Sequence, residues 1–290
     1  MEEPPTRFKE EKKMGLRINQ NIAAMNSYRN LSVTEGQMAK SLEKLSSGFR
    51  INRAADDAAG LAISEGLRSQ VGGLKVAVRN AQDGVSVVQT AEGALTEVHA
   101  ILQRVRDLAV QAGNDSNNAA ARTNIKTEVD SLADELTRIG VSTNFNGTKL
   151  LDGSATALTF QVGASNQAAE SQVVVNLGTA DIDAMGATIK ALNFASASDA
   201  LTSLTAIDTA IGTVSTERAK LGAVQNRFEH TIQSLNVAVE NLSASESRIR
   251  DTDMASEMVN FTRAQILSQA GTAMLAQANQ APQGVLRLLQ

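Results

Sequence analysis

The fold of this chain is decided by residues 67–102, which read LRSQVGGLKVAVRNAQDGVSVVQTAEGALTEVHAIL. Their apolar side chains return every three or four positions, and the same spacing recurs over residues 207–249. Such a repeat averages about 3.5 residues and keeps one apolar seam facing a neighbouring helix along a supercoil. Two seams far apart in sequence predict a mainly α protein, with long antiparallel helices from both chain ends in coiled-coil packing.

Composition agrees with packing of helix on helix. The 290 residues are 42% hydrophobic but only 3% aromatic, with no Trp and a single Tyr. Aromatic side chains usually supply much of the bulk of a globular core, so their scarcity favours thin helical layers. A net charge of −4 gives no electrostatic case for binding nucleic acid or an anionic membrane. No stretch approaches the roughly 20 apolar residues of a membrane span. We therefore expect neither nucleic acid nor a membrane as a partner.

The chain has no cysteine, which excludes disulfides and thiol catalysis. This suits a redox-inert protein outside the cell, although many proteins simply lack cysteine. The start, MEEPPTRFKEEKKM, carries charges and prolines where a signal peptide would have its apolar core. We expect residues 1–13 to be a disordered or non-native extension. An exported form would leave by a route that uses no cleaved signal.

The middle of the chain changes pattern. Leu158, Phe160 and Val162 alternate with polar residues, residues 163–170 resemble a turn, and residues 173–175 are three consecutive valines. Alternation with a period of two, bounded by turn residues, predicts a small β-hairpin. Residues 179–203 are rich in small side chains and are not assigned.

Three segments carry a family resemblance. Residues 14–21 (MGLRINQN) and 42–61 (LEKLSSGFRINRAADDAAGL) resemble the opening of bacterial flagellins. Residues 264–280, which begin AQIL and end LAQANQ, resemble the flagellin C-terminus. The resemblance covers about 14–150 and 200–290. The short middle is similar to a minimal flagellin without large outer domains.

The resemblance implies a domain plan. Residues 14–58 would form the N-terminal inner-layer helix and connector, and residues 251–290 the C-terminal inner-layer helix. The core helical domain would combine residues 59–150 with 204–250, and residues 151–203 would be a short central region containing the hairpin. Charged residues concentrate in the connector, either as a solvated loop with a helix cap or as inter-subunit ion pairs. They are Lys44, Arg50, Arg53, Asp56 and Asp57.

The implied function is that of a structural subunit of the bacterial flagellar filament, secreted and extracellular, serving motility. Flagellins leave largely unfolded through a type III export channel and polymerise beneath a cap. The implied partners are the chain itself, the flagellar cap, junction proteins, an export chaperone and the export apparatus. Family members order their terminal segments only on assembly, when neighbours supply burial. The residues predicted to support polymerisation are Ile22, Leu31, Met38, Leu42, Leu45, Met258, Phe261, Leu267, Leu275 and Leu286.

Residues 103–111 resemble the segment by which many flagellins engage the vertebrate Toll-like receptor that senses flagellin. By position, Arg104 and Leu108 match the primary contacts, and Gln103, Arg106 and Glu128 match supporting ones. The alternative is that this strip exists for filament packing and that receptor recognition exploits it.

Catalysis finds little support in the sequence. The only histidines, His99 and His230, sit within the heptad helices, and no His-Glu-x-x-His zinc motif occurs. We expect no enzyme activity, cofactor or metal. Two alternatives to a filament subunit stay open: a hook–filament junction protein, which forms a short ring, and a secreted enzyme on a helical scaffold.

Overall fold

The computed structural model describes residues 20–154, 157–178 and 180–288, with side chains described as far as residue 280. The chain is 77% helical, which confirms the predicted fold class. The expected extension, residues 1–13, lies outside the described residues. The helices are α1 Ile22–Ser47, α2 Ala58–Ala112, α3 Ala119–Ser142, α4 Ala168–Ser171, α5 Ile182–Lys190, α6 Ala197–Arg250 and α7 Met254–Leu288. The strands are β1 Asn144–Phe145, β2 Thr148–Lys149, β3 Ala157–Gln161 and β4 Gln172–Asn176.

The chain divides into two compact units, which we describe separately. The terminal unit combines Met1–Glu65 with Glu246–Gln290, and the central unit is Gly66–Ser245. Helices α2 and α6 contribute residues to both units.

In the central unit, α2 and α6 run antiparallel along the predicted seam. Arg106 Nε donates to Asp208 Oδ1 at 2.7 Å, and twenty-two residues earlier on α2 Gly84 contacts the Phe228 ring. The seam positions of both helices are buried or half-buried, as a 3.5-residue repeat requires. They include Ala81, Val88, Leu95 and Leu102 of α2, and Ile207, Val214, Leu221 and Phe228 of α6.

Helices α3 and α5 form a second antiparallel layer in the central unit. Asn118 caps α3 by accepting a hydrogen bond from the Ala121 N–H. Lys190 Nζ lies 2.5 Å from Asp134 Oδ1, joining the end of α5 to α3. Helix α5 and the start of α6 occupy the stretch that the sequence pattern left unassigned.

The predicted hairpin is confirmed as β3 and β4, which pair antiparallel with Leu158 opposite Val175 and Phe160 opposite Val173. The Phe160 ring meets Phe228 of α6 edge-on, with centroids 5.6 Å apart, and this contact packs the hairpin onto the helix. A second, shorter hairpin joins β1 and β2 through Asn146 and Gly147, whose φ angles are both positive. Asn-Gly is the usual sequence for such a two-residue turn.

In the terminal unit, α1 and α7 pack antiparallel. The Asn21 side chain near the start of α1 reaches Ala278 of α7, and Leu31 lies against Gly271. The inward-facing positions hold small, polar or single large apolar residues, among them the buried Leu31, Ser41 and Ala264. The two termini therefore pair as predicted, but through a narrow interface.

Candidate functional site

The pairing of α1 with α7 leaves large apolar side chains uncovered. Of the residues predicted to support polymerisation, Leu31 is buried and Met38, Leu45, Phe261 and Leu275 are half-buried. The others with described side chains are at least half exposed: Ile22, Leu42, Met258 and Leu267. Leu286 lies outside the residues whose side chains are described. The predicted set thus divides between an inward face and an outward face.

The outward face holds more apolar residues than the predicted set contains. Tyr28 is 66% exposed and Met274 is 64% exposed. The apolar repeat predicts a single apolar face for each helix, whereas further apolar residues lie exposed outside the inner stripe. The additional exposed residues are Met25, Tyr28, Val33, Met254, Val259, Ile266 and Met274. Scattered exposed apolar residues are normal, but a run along two adjacent helices is typical of an interaction surface.

The connector between α1 and α2 is tied to the junction between α6 and α7. Gly48 ends α1 in the left-handed conformation with φ 75°, as a C-terminal glycine commonly does. Its carbonyl accepts from the Thr252 N–H at 3.0 Å, and the Arg50 N–H donates to the Arg250 carbonyl at 2.7 Å. These backbone bonds hold the two helix ends together.

Arg250 is the side chain on which this junction converges. Its Nη1 lies 2.6 Å from Glu65 Oε1, and its guanidinium stands 4.8 Å from the centre of the Phe49 ring. The Arg250 side chain is only 15% exposed, whereas its partners Glu65 and Phe49 remain accessible to water. Sequence reasoning did not select Arg250, because its partners come from residues almost 200 positions away.

Three of the connector charges, Arg53, Asp56 and Asp57, make hydrogen bonds within the chain. The Asp56 carboxylate accepts from the N–H groups of Arg53 at 3.0 Å and Asn52 at 3.2 Å, and these bonds lower the pKa of Asp56. Arg53 pairs with Glu43, and this hydrogen bond raises the pKa of Arg53. The Asp57 side chain caps α2 by accepting from the Gly60 N–H.

The strip predicted to contact a receptor lies in the central unit, on α2 and α3. Arg104 donates to Glu128 Oε1 through Nη2 at 2.6 Å and through Nε at 3.0 Å. Arg106 instead contacts α6 through Asp208, and Gln103 Nε2 lies 2.9 Å from His99 Nε2. All these pairs are solvent-accessible, so the structure brings four of the predicted residues to the surface.

Leu108, the fifth residue of the predicted strip, is placed differently. It is 2% exposed and belongs to the hydrophobic core of the central unit. The neighbouring Val110 is 55% exposed. Leu108 can therefore shape the strip by packing beneath it, while the exposed surface is provided by polar side chains.

Among the described residues, no group of three or more His, Cys, Asp or Glu side chains could hold a metal ion. None of the helices described here has the length and apolar character needed to span a membrane. These features define a mainly helical protein with paired termini and an uncovered apolar surface, a class suited to self-association.

Comparison with known proteins specifies the family. Residues 18–156 match the family model described as "Bacterial flagellin N-terminal helical region". Residues 204–289 match the model described as "Bacterial flagellin C-terminal helical region". Flagellin of Bacillus subtilis (strain 168) is 51% identical, across 95% of this chain and 100% of the relative. Flagellin of Halalkalibacterium halodurans is 50% identical, across 94% of this chain and 99% of that relative. The flagellar filament 31.3 kDa core protein of Treponema maltophilum is 45% identical, across 94% of this chain and 99% of that relative.

The chain belongs to the bacterial flagellin family, the structural subunits of the flagellar filament. The resemblance carried by the terminal segments is confirmed over most of the chain.

Proposed function

We propose that this protein builds an extracellular flagellar filament by polymerisation, in which the outward faces of α1 and α7 are buried against other copies of the chain. The observation that supports this most directly is the row of exposed apolar side chains on the terminal helix pair, which no described part of the chain covers. Burial of apolar area yields roughly 25 cal/mol per Å², so repeated contacts between copies can offset the entropy of ordering the termini.

Export and assembly complete the proposal. The chain leaves the cell unfolded through the type III apparatus, accompanied by an export chaperone, and adds beneath a cap beyond the junction proteins. The central unit has a dense core of its own, whereas the terminal helices share a narrow interface. This difference supports termini that gain their full order only on association. The role is structural and requires no chemistry.

The test is a point exchange on the outward face. Leu267→Gln replaces an exposed leucine of α7 without altering the face that meets α1. We expect slower growth of seeded filaments and a higher critical concentration, measured by light scattering and sedimentation. Gln265→Ala, at an exposed polar position of the same helix, should leave both unchanged.

Truncation provides the stronger form of the same test. Removal of residues 252–290 should abolish polymerisation and leave a soluble helical core, seen by circular dichroism. Filament growth by the truncated chain would refute the role assigned to α7.

A second function, recognition by the vertebrate flagellin-sensing Toll-like receptor, is supported by the exposed Arg104–Glu128 pair. A guanidinium and a carboxylate at the surface provide directional donors and acceptors for a partner. Arg104→Ala should reduce receptor signalling in a reporter cell line while the helix content stays unchanged. Signalling equal to that of the unaltered protein would exclude this function.

A further inference from the structure

The Asn21 side chain makes two hydrogen bonds in different directions. Its Oδ1 accepts from the Ala24 N–H at 3.0 Å, which caps the start of α1. Its Nδ2 donates to the carbonyl of Ala278 on α7 at 2.7 Å. Because the cap occupies the oxygen, the orientation of the amide is set by its hydrogen bonds and the nitrogen faces α7.

The acceptor of this cross-helix bond is unusual. Ala278 lies inside α7, where a carbonyl normally accepts from the N–H four residues later. That residue is Pro282, which has no N–H. The Ala278 carbonyl therefore lacks its usual helical donor, and the Asn21 amide donates to it instead. Pro282 is the only proline within the described residues.

We propose that Asn21 is the register-determining residue of the terminal helix pair, because it recognises the one helical carbonyl that Pro282 leaves free. This bond fixes which turn of α7 lies beside the start of α1. The inference concerns pairing within one chain, so it goes beyond the proposed polymerisation and does not require it.

Around Leu31 the interface discriminates poorly between registers. The α7 positions nearest to Leu31 are Ala264, Ser268 and Gly271, all small, whereas the larger Phe261 and Leu275 lie one turn further out on either side. A shift of α1 by one heptad would place similar small side chains opposite Leu31. Such a shift would also take the Asn21 donor away from the partly buried Ala278 carbonyl, which costs a hydrogen bond. A single polar contact that selects the register is a known device in paired helices.

The absence of cysteine allows the register to be measured by disulfide formation. A Cβ at position 271 would lie 3.7 Å from Leu31 Cβ, within the range that a disulfide needs. Leu31→Cys with Gly271→Cys therefore reports the native register. Leu31→Cys with Ala264→Cys reports a shift of one heptad. Both pairs are oxidised in the full chain, soluble and after seeding, and the compact intrachain product is quantified on non-reducing gels.

The decisive variant is Asn21→Asp. Aspartate caps helices as well as asparagine does, but its carboxylate cannot donate to the Ala278 carbonyl. We expect the ratio of native to shifted cross-link to fall about fivefold, the equivalent of one hydrogen bond of typical strength. Asn118→Asp is the matched control, since Asn118 caps α3 in the same way, and it should leave the ratio unchanged.

Pro282→Ala tests the mechanism. It restores the N–H at position 282, so the Ala278 carbonyl accepts a helical hydrogen bond in every register. The ratio of native to shifted cross-link should therefore fall even when Asn21 is unaltered. Addition of Asn21→Asp to this variant should produce no further change.

Three results would overturn the inference. The first is a ratio of native to shifted cross-link that Asn21→Asp leaves unchanged. The second is an equal fall of that ratio when Asn21→Asp is made with Pro282 present and with Pro282→Ala, and the third is the absence of the native cross-link when Asn21 is unaltered. Failure of filaments to grow while the ratio behaves as expected would contradict only the proposed polymerisation.

Discussion

At the scale of single residues, burial separates Leu108 from Arg104, two residues to which the family resemblance assigns the same role. Leu108 packs in the core of the central unit, whereas Arg104 is exposed and paired with Glu128. A change at Leu108 therefore acts first on folding, and its effect on any partner follows from that.

Leu108→Ala should lower the free energy of unfolding of the central unit by about 2–5 kcal/mol, because it leaves a cavity in a packed core. Arg104→Ala should cost less than about 1 kcal/mol, as is usual for an exposed ion pair. Urea denaturation followed by circular dichroism measures both. Similar costs for the two exchanges would show that Leu108 is not a core residue.

Residue-scale prediction from sequence succeeded where a residue's role depends on the helical repeat. The 3.5-residue spacing puts Leu95, Leu102, Ile207 and Val214 on the seam, and all are buried. It did not select Arg250, whose partners Glu65 and Phe49 are distant in sequence, and it made no prediction of the burial of Leu108. When apolar residues occupy more than one side of a helix, their spacing alone does not indicate which side packs against a neighbouring helix.

At the scale of elements, the glycines of α2 are not equivalent. A Cβ at Gly84 would lie 2.6 Å from Phe228 Cζ, whereas a Cβ at Gly93 would meet nothing within 4 Å. The Phe228 ring is fully buried and stacked edge-on with Phe160, so it has little room to move. Close approach of α2 and α6 therefore depends on Gly84.

Gly84→Ala should destabilise the central unit by about 1–3 kcal/mol through overpacking. Gly93→Ala should stabilise it by up to about 1 kcal/mol, because alanine favours the helix and meets no obstacle. Thermal unfolding of the two variants provides the comparison. A stabilising Gly84→Ala would contradict the close contact with Phe228.

The connector should be sensitive to acid through Asp56. Hydrogen bonds from the Arg53 and Asn52 N–H groups lower the pKa of Asp56, so its contribution to connector stability is complete above the ordinary aspartate pKa of about 3.9. That contribution is lost as the pH falls through the lowered pKa. The amide proton shifts of Asn52 and Arg53 should titrate together below that ordinary value and stay flat in Asp56→Asn. Titration at or above the ordinary value would show that these bonds do not form.

Element-scale prediction was good for strongly periodic segments and weak elsewhere. The long helices and the β3–β4 hairpin follow from periods of 3.5 and two. Helix α5 was not predicted, because its nine residues are too few for periodicity to distinguish from a loop. Its place is fixed by packing on α3, where Gly140 and Gly186 allow the two backbones to approach closely.

At the scale of the whole molecule, the chain combines a well-packed central unit with a thinly packed terminal unit. Many large apolar residues of α1 and α7 are exposed, while the contact between these helices combines small residues with a few large ones such as Leu31. This arrangement is costly for an isolated chain and favourable for one that polymerises, since the uncovered residues gain partners only in an assembly.

The most direct test of polymerisation through the terminal helices is electron microscopy of the purified full chain after addition of short filament seeds or ammonium sulfate. We predict long, uniform tubes that keep growing while free subunits remain. Persistent monomers would contradict polymerisation through these helices, and short closed rings would assign the chain to the junction proteins instead.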